Sequence, residues 1–139
     1  MSALSVSASG LVAESTIHLD TCFLIHALVP DSDADARLRG WLSAGHRISM
    51  NSVAWTEFLC GPLTASDLAL AEQVVTERLD YSEFDARRAA EFFNSTGRRR
   101  GTLVDCMIAA SACERDAPLA TLNPKDFIAF QEAGLRLAV

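Results

Sequence analysis

The stretch "TIHLDTCFLIHALVP" (residues 16–30) joins two periodicities without a loop between them. "TIHLD" (16–20) alternates, with Ile17 and Leu19 on one face, as a short strand does. It runs straight into "CFLIHALVP", a short helix that Pro30 stops. The same strand-to-helix step recurs along the chain. "SDADARLRGWLSAG" (32–45) predicts a helix with Leu38, Trp41 and Leu42 on one stripe and Gly45 as its stop. "HRISM" (46–50) predicts a second strand, and Asn51 or Ser52 caps the helix "VAWTEFLCG" that Gly61-Pro62 ends. Ser66 or Asp67 caps a helix running to about Leu79, and "LDYSEF" is a weak third strand. "DARRAAEFFNSTG" (85–97) is helical with Ala89, Phe92 and Phe93 inward, and "TLVDCMIAASACERD" is a further helix. "PLATLN" (118–123) and "LRLAV" (135–139) predict the last strands. Strands separated by helices imply βαβ units. The expected fold is therefore α/β, a three-layer α/β/α sandwich with a mainly parallel central sheet.

The composition suits one such domain. The chain has 139 residues, half of them hydrophobic, enough for a real core. Residues 1–16 are small and Ser-rich and lack a basic region before their apolar part, so they are expected to be a loosely held extension rather than a secretory signal. The domain proper is expected over 17–139. No stretch approaches the ~18–20 apolar residues of a membrane span, so no membrane partner is expected. Four cysteines (Cys22, Cys60, Cys106, Cys113) show no CxxC pair or zinc spacing and sit among apolar neighbours. They are expected to be buried thiols in a reducing cytoplasm. The net charge of −6 argues against a generally basic nucleic-acid surface. It leaves room for acids gathered at one place.

The architecture says where they would gather. Open parallel sheets bind ligands beyond the carboxyl ends of their strands. Asp20 ends the first strand, Asn123 ends "PLATLN", and Asp126 follows it. Glu57 lies on the helix leaving the second strand, and Asp105 opens its own helix, where the N-terminus favours negative charge. At i+4 and i+7 from Asp105 stand Ala109 and Ala112, which leave space above the carboxylate. Glu57 has no Lys or Arg at helical pairing distance. Two carboxylates ~4 Å apart repel by roughly 4 kcal/mol at an effective dielectric of ~20. Three together need a cation, and oxygen-only ligands suit a hard one, Mg²⁺ or Mn²⁺. Asp20, Glu57 and Asp105 are thus the candidate metal ligands.

With those residues in view, "HLDTCFLIHAL", "VAWTEFLCG", "RRRGTLVDCMIAASA" and "PLATLNPKDF" together resemble the PIN-domain ribonucleases, in particular the VapC-type toxins of toxin–antitoxin pairs. The resemblance covers about residues 17–139. It implies Asp20, Glu57 and Asp105 as core acids and a fourth position at Asn123 or Asp126. Asn123 is favoured as catalytic, with Asp126 in support. Thr21 matches the hydroxyl that follows the first acid. The implied activity is endonucleolytic hydrolysis of RNA by a metal-activated water, leaving a 5′-phosphate and a 3′-hydroxyl. The implied partners are an RNA substrate, a cognate antitoxin presenting Arg to the acids, and a second copy of the chain. The extension before the first strand departs from the family pattern.

Each residue also has a plainer reading. Asp20 alone could cap a helix, Glu57 could be a solvated helix residue, and Asp105 a helix-start carboxylate. Arg98, Arg99 and Arg100 could contact RNA phosphates or form an exposed basic turn. His18, His26 and His46 lack a matched nucleophile and read as satisfied or surface histidines. Trp41 and Trp55 read as core or interface. No phosphate-binding GxxxxGK[ST] loop or GxGxxG turn is present, and "DTC" lacks the second Asp of aspartate-nucleophile phosphatases. The rival to a nuclease is a catalytically inactive PIN-like binding or scaffold module.

Overall fold

The computed structural model describes residues 15–139. Residues 1–14, most of the expected extension, lie outside the described residues, whereas Thr16 already belongs to the first strand. The strands are β1 (Thr16–Leu19), β2 (Arg47–Asn51), β3 (Glu77–Leu79) and β4 (Leu119–Ala120). The helices are α1 (Thr21–Ala27), α2 (Asp33–Ser43), α3 (Ser52–Cys60), α4 (Ala65–Val74), α5 (Glu83–Ser95), α6 (Leu103–Glu114) and α7 (Ile128–Gln131). All four strands run parallel in the order β3-β2-β1-β4. This is the α/β fold that the alternation implies, a parallel sheet covered by helices.

Short polar residues set the helix starts. The side chains of Asp20, Ser32, Asn51, Thr64 and Ser82 each accept the backbone N–H three residues on. Each such cap contributes about 1 kcal/mol. The core fills the space between sheet and helices with Leu19, Phe23, Leu24, Met50, Phe58 and Leu119, all fully buried. Phe92 stacks on Phe130 with ring centroids 4.9 Å apart, which fastens α5 to α7.

Several boundaries differ from expectation. The fourth helix starts at Ala65 under a Thr64 cap and ends at Val74, not near Leu79. Residues 77–79 instead pair with β2, where Glu77 meets Arg47 across the strands at 2.6 Å. Only Leu119–Ala120 of "PLATLN" is strand. "LRLAV" reduces to one parallel bridge, Leu119 to Leu137. There the Leu119 N–H donates to the Arg136 carbonyl and the Leu119 carbonyl accepts the Ala138 N–H, while the Ala138 carbonyl accepts from Arg37 at 3.1 Å. Leu42 is exposed because α2 rests on α1 through Leu38 and Trp41, the latter stacked on Phe23. Cys22 and Cys60 are exposed, one near the start of α1 and one at the end of α3; Cys106 is buried and Cys113 partly so. Phe93 is only partly buried.

A polar cluster crosses the core under the sheet. The Asp85 carboxylate is fully buried and takes the Ser82 N–H, the Arg115 guanidinium at 2.8 Å and the Ser111 hydroxyl. Burial pushes its carboxyl up, but those donors outweigh it and hold the group below the usual carboxylate range. His18, on the central strand, is fully buried with Nδ1 on the Ser49 hydroxyl at 2.7 Å and Nε2 without a partner. Burial, then the Arg115 charge, bring its pKa down to about 3 against the opposing pull of Asp85, so the imidazole is neutral.

Removing Arg115 strands a buried anion. Arg115→Met should cost about 3–5 kcal/mol at pH 7 in urea unfolding. In the native protein the lowered Asp85 pKa contributes stability that is complete above the unfolded value and fades as pH falls through the folded one. The deficit of the variant should therefore shrink below about pH 4. A deficit constant from pH 7 to pH 3 would contradict this assignment.

Candidate active site

The carboxyl ends of three neighbouring strands deliver three polar residues side by side. His18 is in register with Ser49 on β2 and with Leu119 on β4. Continued by two residues, that register sets Asp20 between Asn51 and Thr121. The backbone bond from Asp20 N–H to the Ala120 carbonyl, 3.1 Å, closes this edge.

Asp20 is nearly buried, and Oδ1 accepts the Phe23 N–H at 2.8 Å. The Thr121 hydroxyl, opposite it in the strand register, favours the ionised carboxylate. Asp20 is thus a helix cap and a site carboxylate at once. Burial raises its pKa; Thr121 and the Phe23 N–H oppose this, and the charges of Glu57 and Asp126 add to it. Thr21, buried beside it, donates to Oε1 of Glu57 at 2.7 Å and lies 3.2 Å from the Ala54 carbonyl. This hydroxyl turns an otherwise exposed glutamate on α3 toward the strand ends.

Asn51 fixes the third acid. Its Oδ1 caps α3 at the Ala54 N–H, 2.8 Å away. Its Nδ2 donates to the Met107 carbonyl at 3.2 Å and to the Ser111 hydroxyl at 2.8 Å, both on α6. One side chain therefore locks the helix of Glu57 to the helix of Asp105. Burial first, then the charges of Asp126, Asp20 and Glu57, raise the Asp105 pKa to about 6. Ala109 and Ala112, expected to leave room above this carboxylate, are fully buried in the core.

Four carboxylates thus act on one another: Asp20, Glu57, Asp105 and Asp126. The Cys22 thiol, raised by burial and then by all four charges, marks their common rim. None of the four is in an ion pair among the described residues. Their donor set is oxygen only, which suits a hard divalent cation. Among the described residues no three Asp, Glu, His or Cys side chains stand close enough together to enclose a metal ion. A magnesium site asks less, because this ion keeps several waters and is commonly held by one or two carboxylates.

The remaining expected residues divide. Asn123 is exposed, its side chain caps nothing, and its N–H goes to the Thr121 hydroxyl at 3.0 Å. Asp126, at the end of a 3-10 turn (Pro124–Asp126), is the residue of this loop whose charge reaches Asp20 and Asp105. Arg98 takes a positive φ of 54°, bonds Asn94 and lies over the Phe93 ring, on the side of α5. Arg99 and Arg100 are exposed where the chain enters α6, with no ion pair among the described residues. His26 bonds its own helix and His46 bonds Ser15.

Thr121 and Asn51 were not singled out as site residues by sequence reasoning. The available signal was the strand register, since each is the last polar residue before the chain leaves the sheet.

Comparison with known proteins follows the same outline. The PIN domain family model matches residues 17–132. The chain is similar in structure to VapBC2 from Rickettsia felis, solved bound to a DNA fragment from their promoter, with TM-score 0.68 and 20% identity over 88% of this chain and 97% of that one. It is similar to VapBC-1 from nontypeable Haemophilus influenzae, with TM-score 0.67 and 20% identity over 88% and 96%. It is also similar to VapBC-5 of the VapBC family of toxin-antitoxin systems, from Mycobacterium tuberculosis, with TM-score 0.57 and 26% identity over 88% and 98%. No curated protein sequence matches.

The raised Asp105 pKa has a consequence for the metal-free protein. A carboxyl whose folded pKa lies above its unfolded value loses stability as pH climbs from about 4 to about 6, and the loss is complete above that. Asp105→Asn should therefore be more stable than the native protein at pH 7 in EDTA, by about 1 kcal/mol after discounting for partial exposure. At pH 4 the two should melt together. Equal melting at both pH values would show that Asp105 does not feel the other acids.

Proposed function

Since this chain belongs to the PIN domain family, we propose that it is a metal-dependent endoribonuclease that cuts RNA phosphodiester bonds and works as the toxin of a toxin–antitoxin pair. The observation that carries the reading is the convergence of Asp20, Glu57, Asp105 and Asp126 at one sheet edge, with the Asp105 carboxyl raised to about 6 by burial first and then by the other three charges. A bound Mg²⁺ or Mn²⁺ would supply a water acidic enough to be hydroxide near neutral pH and would offset charge on the phosphate.

The side chains divide the work of holding it. Asp20 and Asp105 are the ligands best fixed by their backbone settings, one by the Phe23 N–H and one by the Asn51 clamp on α6. Glu57 is aimed by Thr21. Thr121 orients Asp20 as an outer hydroxyl, the kind of partner whose loss costs 10–100-fold in metal affinity or activity. In this reading Asp126 replaces Asn123 as the fourth acid, because its charge is the one that reaches Asp105. Arg99 and Arg100 are placed to meet RNA phosphates entering near α6.

An antitoxin partner has two features to engage. The acids attract a cationic residue, with charge-assisted bonds that favour Arg. An apolar groove of about 270 Å³, lined by Ile25, Leu28, Val29, Phe58 and Leu63, lies between α1, α3 and the start of α4. It suits an apolar segment leading to that cation.

The test is cleavage of single-stranded RNA with Mg²⁺ or Mn²⁺ and with EDTA. Activity should require the ion, fall at least about 100-fold in Asp105→Asn, and fall about 10–100-fold in Thr121→Val. Mn²⁺ should also raise the melting temperature of the native protein more than that of Asp105→Asn. RNA cut equally well by Asp105→Asn would overturn the assignment. RNA left intact by a protein that still binds it would favour the inactive binding module.

A further inference from the structure

Beside the acids lies a pocket of about 410 Å³ that none of the residues discussed so far explains. It is lined by Asp33, Arg37, Thr121, Leu122, Pro124 and the chain end around Ala138. Thr121 joins it to the candidate active site, since the β1–β4 register continues to set it opposite Asp20. The pocket is thus the next space along the sheet edge from the carboxylates.

Arg37 is held there unusually firmly. Its guanidinium carbon sits 5.1 Å from the centre of the Phe23 ring and 5.2 Å from that of Trp41. Nη2 donates to the Ala138 carbonyl at 3.1 Å. Arg39, Arg47, Arg87, Arg88, Arg115 and Arg136 all meet a carboxylate. Arg37, like Arg78, Arg98, Arg99 and Arg100, meets none among the described residues, and of these it is the one that lines this pocket, where Asp33 stands one helical turn away on the same wall. A guanidinium has five N–H donors, and one is used. A planar cation, stacked on two aromatic rings with donors to spare, is a pre-organised anion site.

We infer that Arg37 binds a backbone phosphate of the RNA strand, next to the phosphate being cut. This rests on the nuclease reading and adds to it a residue on α2 that places the strand. An acidic site repels a polyanion, and neighbouring phosphates need a cation outside the acid cluster to hold them. Arg37 provides one within a space of nucleotide size that opens onto Thr121. Asp33 works against it from the same wall.

The experiment measures cleavage of a short labelled single-stranded RNA in Mn²⁺, and its binding by fluorescence anisotropy across a salt series in EDTA. Arg37→Met keeps the apolar stack and removes the charge. It should raise KM about tenfold with kcat unchanged, and reduce the slope of log affinity against log salt by about 0.7. Arg37→Lys should restore the salt slope. Asp33→Asn should lower KM about twofold. A native KM and salt slope in Arg37→Met would overturn the inference while leaving the nuclease reading intact. So would a fall in kcat that tracks loss of folded protein by circular dichroism, which marks Arg37 as structural. A native protein that neither binds nor cuts RNA would overturn both.

Discussion

Like charges at one sheet edge are the constraint around which this molecule is arranged. Asp20, Glu57, Asp105 and Asp126 repel one another, and no cation among the described residues lies in a pair with any of them. Such an arrangement raises the free energy of the folded state. It persists because three of the acids sit on settings that do not depend on the others. Asp20 is tied by the Phe23 N–H, Glu57 by Thr21, and Asp105 by the helix that Asn51 grips. The site is built first by the backbone and its caps, and the charges are imposed on that frame.

The frame itself rests on a second polar assembly. Asn51 donates to Ser111, Ser111 bonds Asp85, and Asp85 pairs with Arg115. This line of contacts runs from the edge of the sheet into the layer of α5 and α6. It separates two uses of carboxylates in one small domain. Asp85 has its cation and is held ionised by it. The four acids at the strand ends lack one, and Asp105 is pushed toward the protonated form. The same residue type is a stabilising element in the first case and a destabilising one in the second. The difference lies in the presence of a fixed guanidinium.

Much of this was legible in the sequence, for physical reasons that can be named. The β1–α1 step could be read because alternation in "TIHL" and the capping chemistry of Asp20 are local. Asn51 was a recognisable cap for the same reason. The helix after Leu63 was misjudged because its end depends on β3 finding β2, a pairing with partners far along the chain. The alternation in "LRLAV" predicts a strand, but with β4 only two residues long it finds one bridge, Leu119 to Leu137. The charges of Glu57 and Asp105 drew attention because neither has a local counterion. Thr121 did not, because a threonine at a strand end carries no sign of its function until the register sets it opposite Asp20. Between Asn123 and Asp126 the sequence leaves both open; both are exposed around the 3-10 turn Pro124–Asp126, and of the two only Asp126 carries a charge that acts on Asp20 and Asp105.

The placement of the cations completes the electrostatic logic. Arginines on α5, at the end of α6 and near the chain end are mostly spent on carboxylates that serve the fold. Arg37, Arg78, Arg98, Arg99 and Arg100 stay outside such pairs among the described residues, with Arg78 and Arg98 laid over Trp55 and Phe93. Under the proposed function, which asks the site to accept a polyanion and a hard cation, fixed positive charge at its centre would compete with the metal for the same oxygens. Such a site can carry positive charge at its approaches. With a net charge of −6 the protein as a whole repels RNA at long range. In the proposed nuclease, attraction would come at short range from the few arginines not spent on carboxylates. On that proposal, specificity for a strand path would follow from that scarcity. Where few cations are available, the positions of those few decide how the backbone can lie.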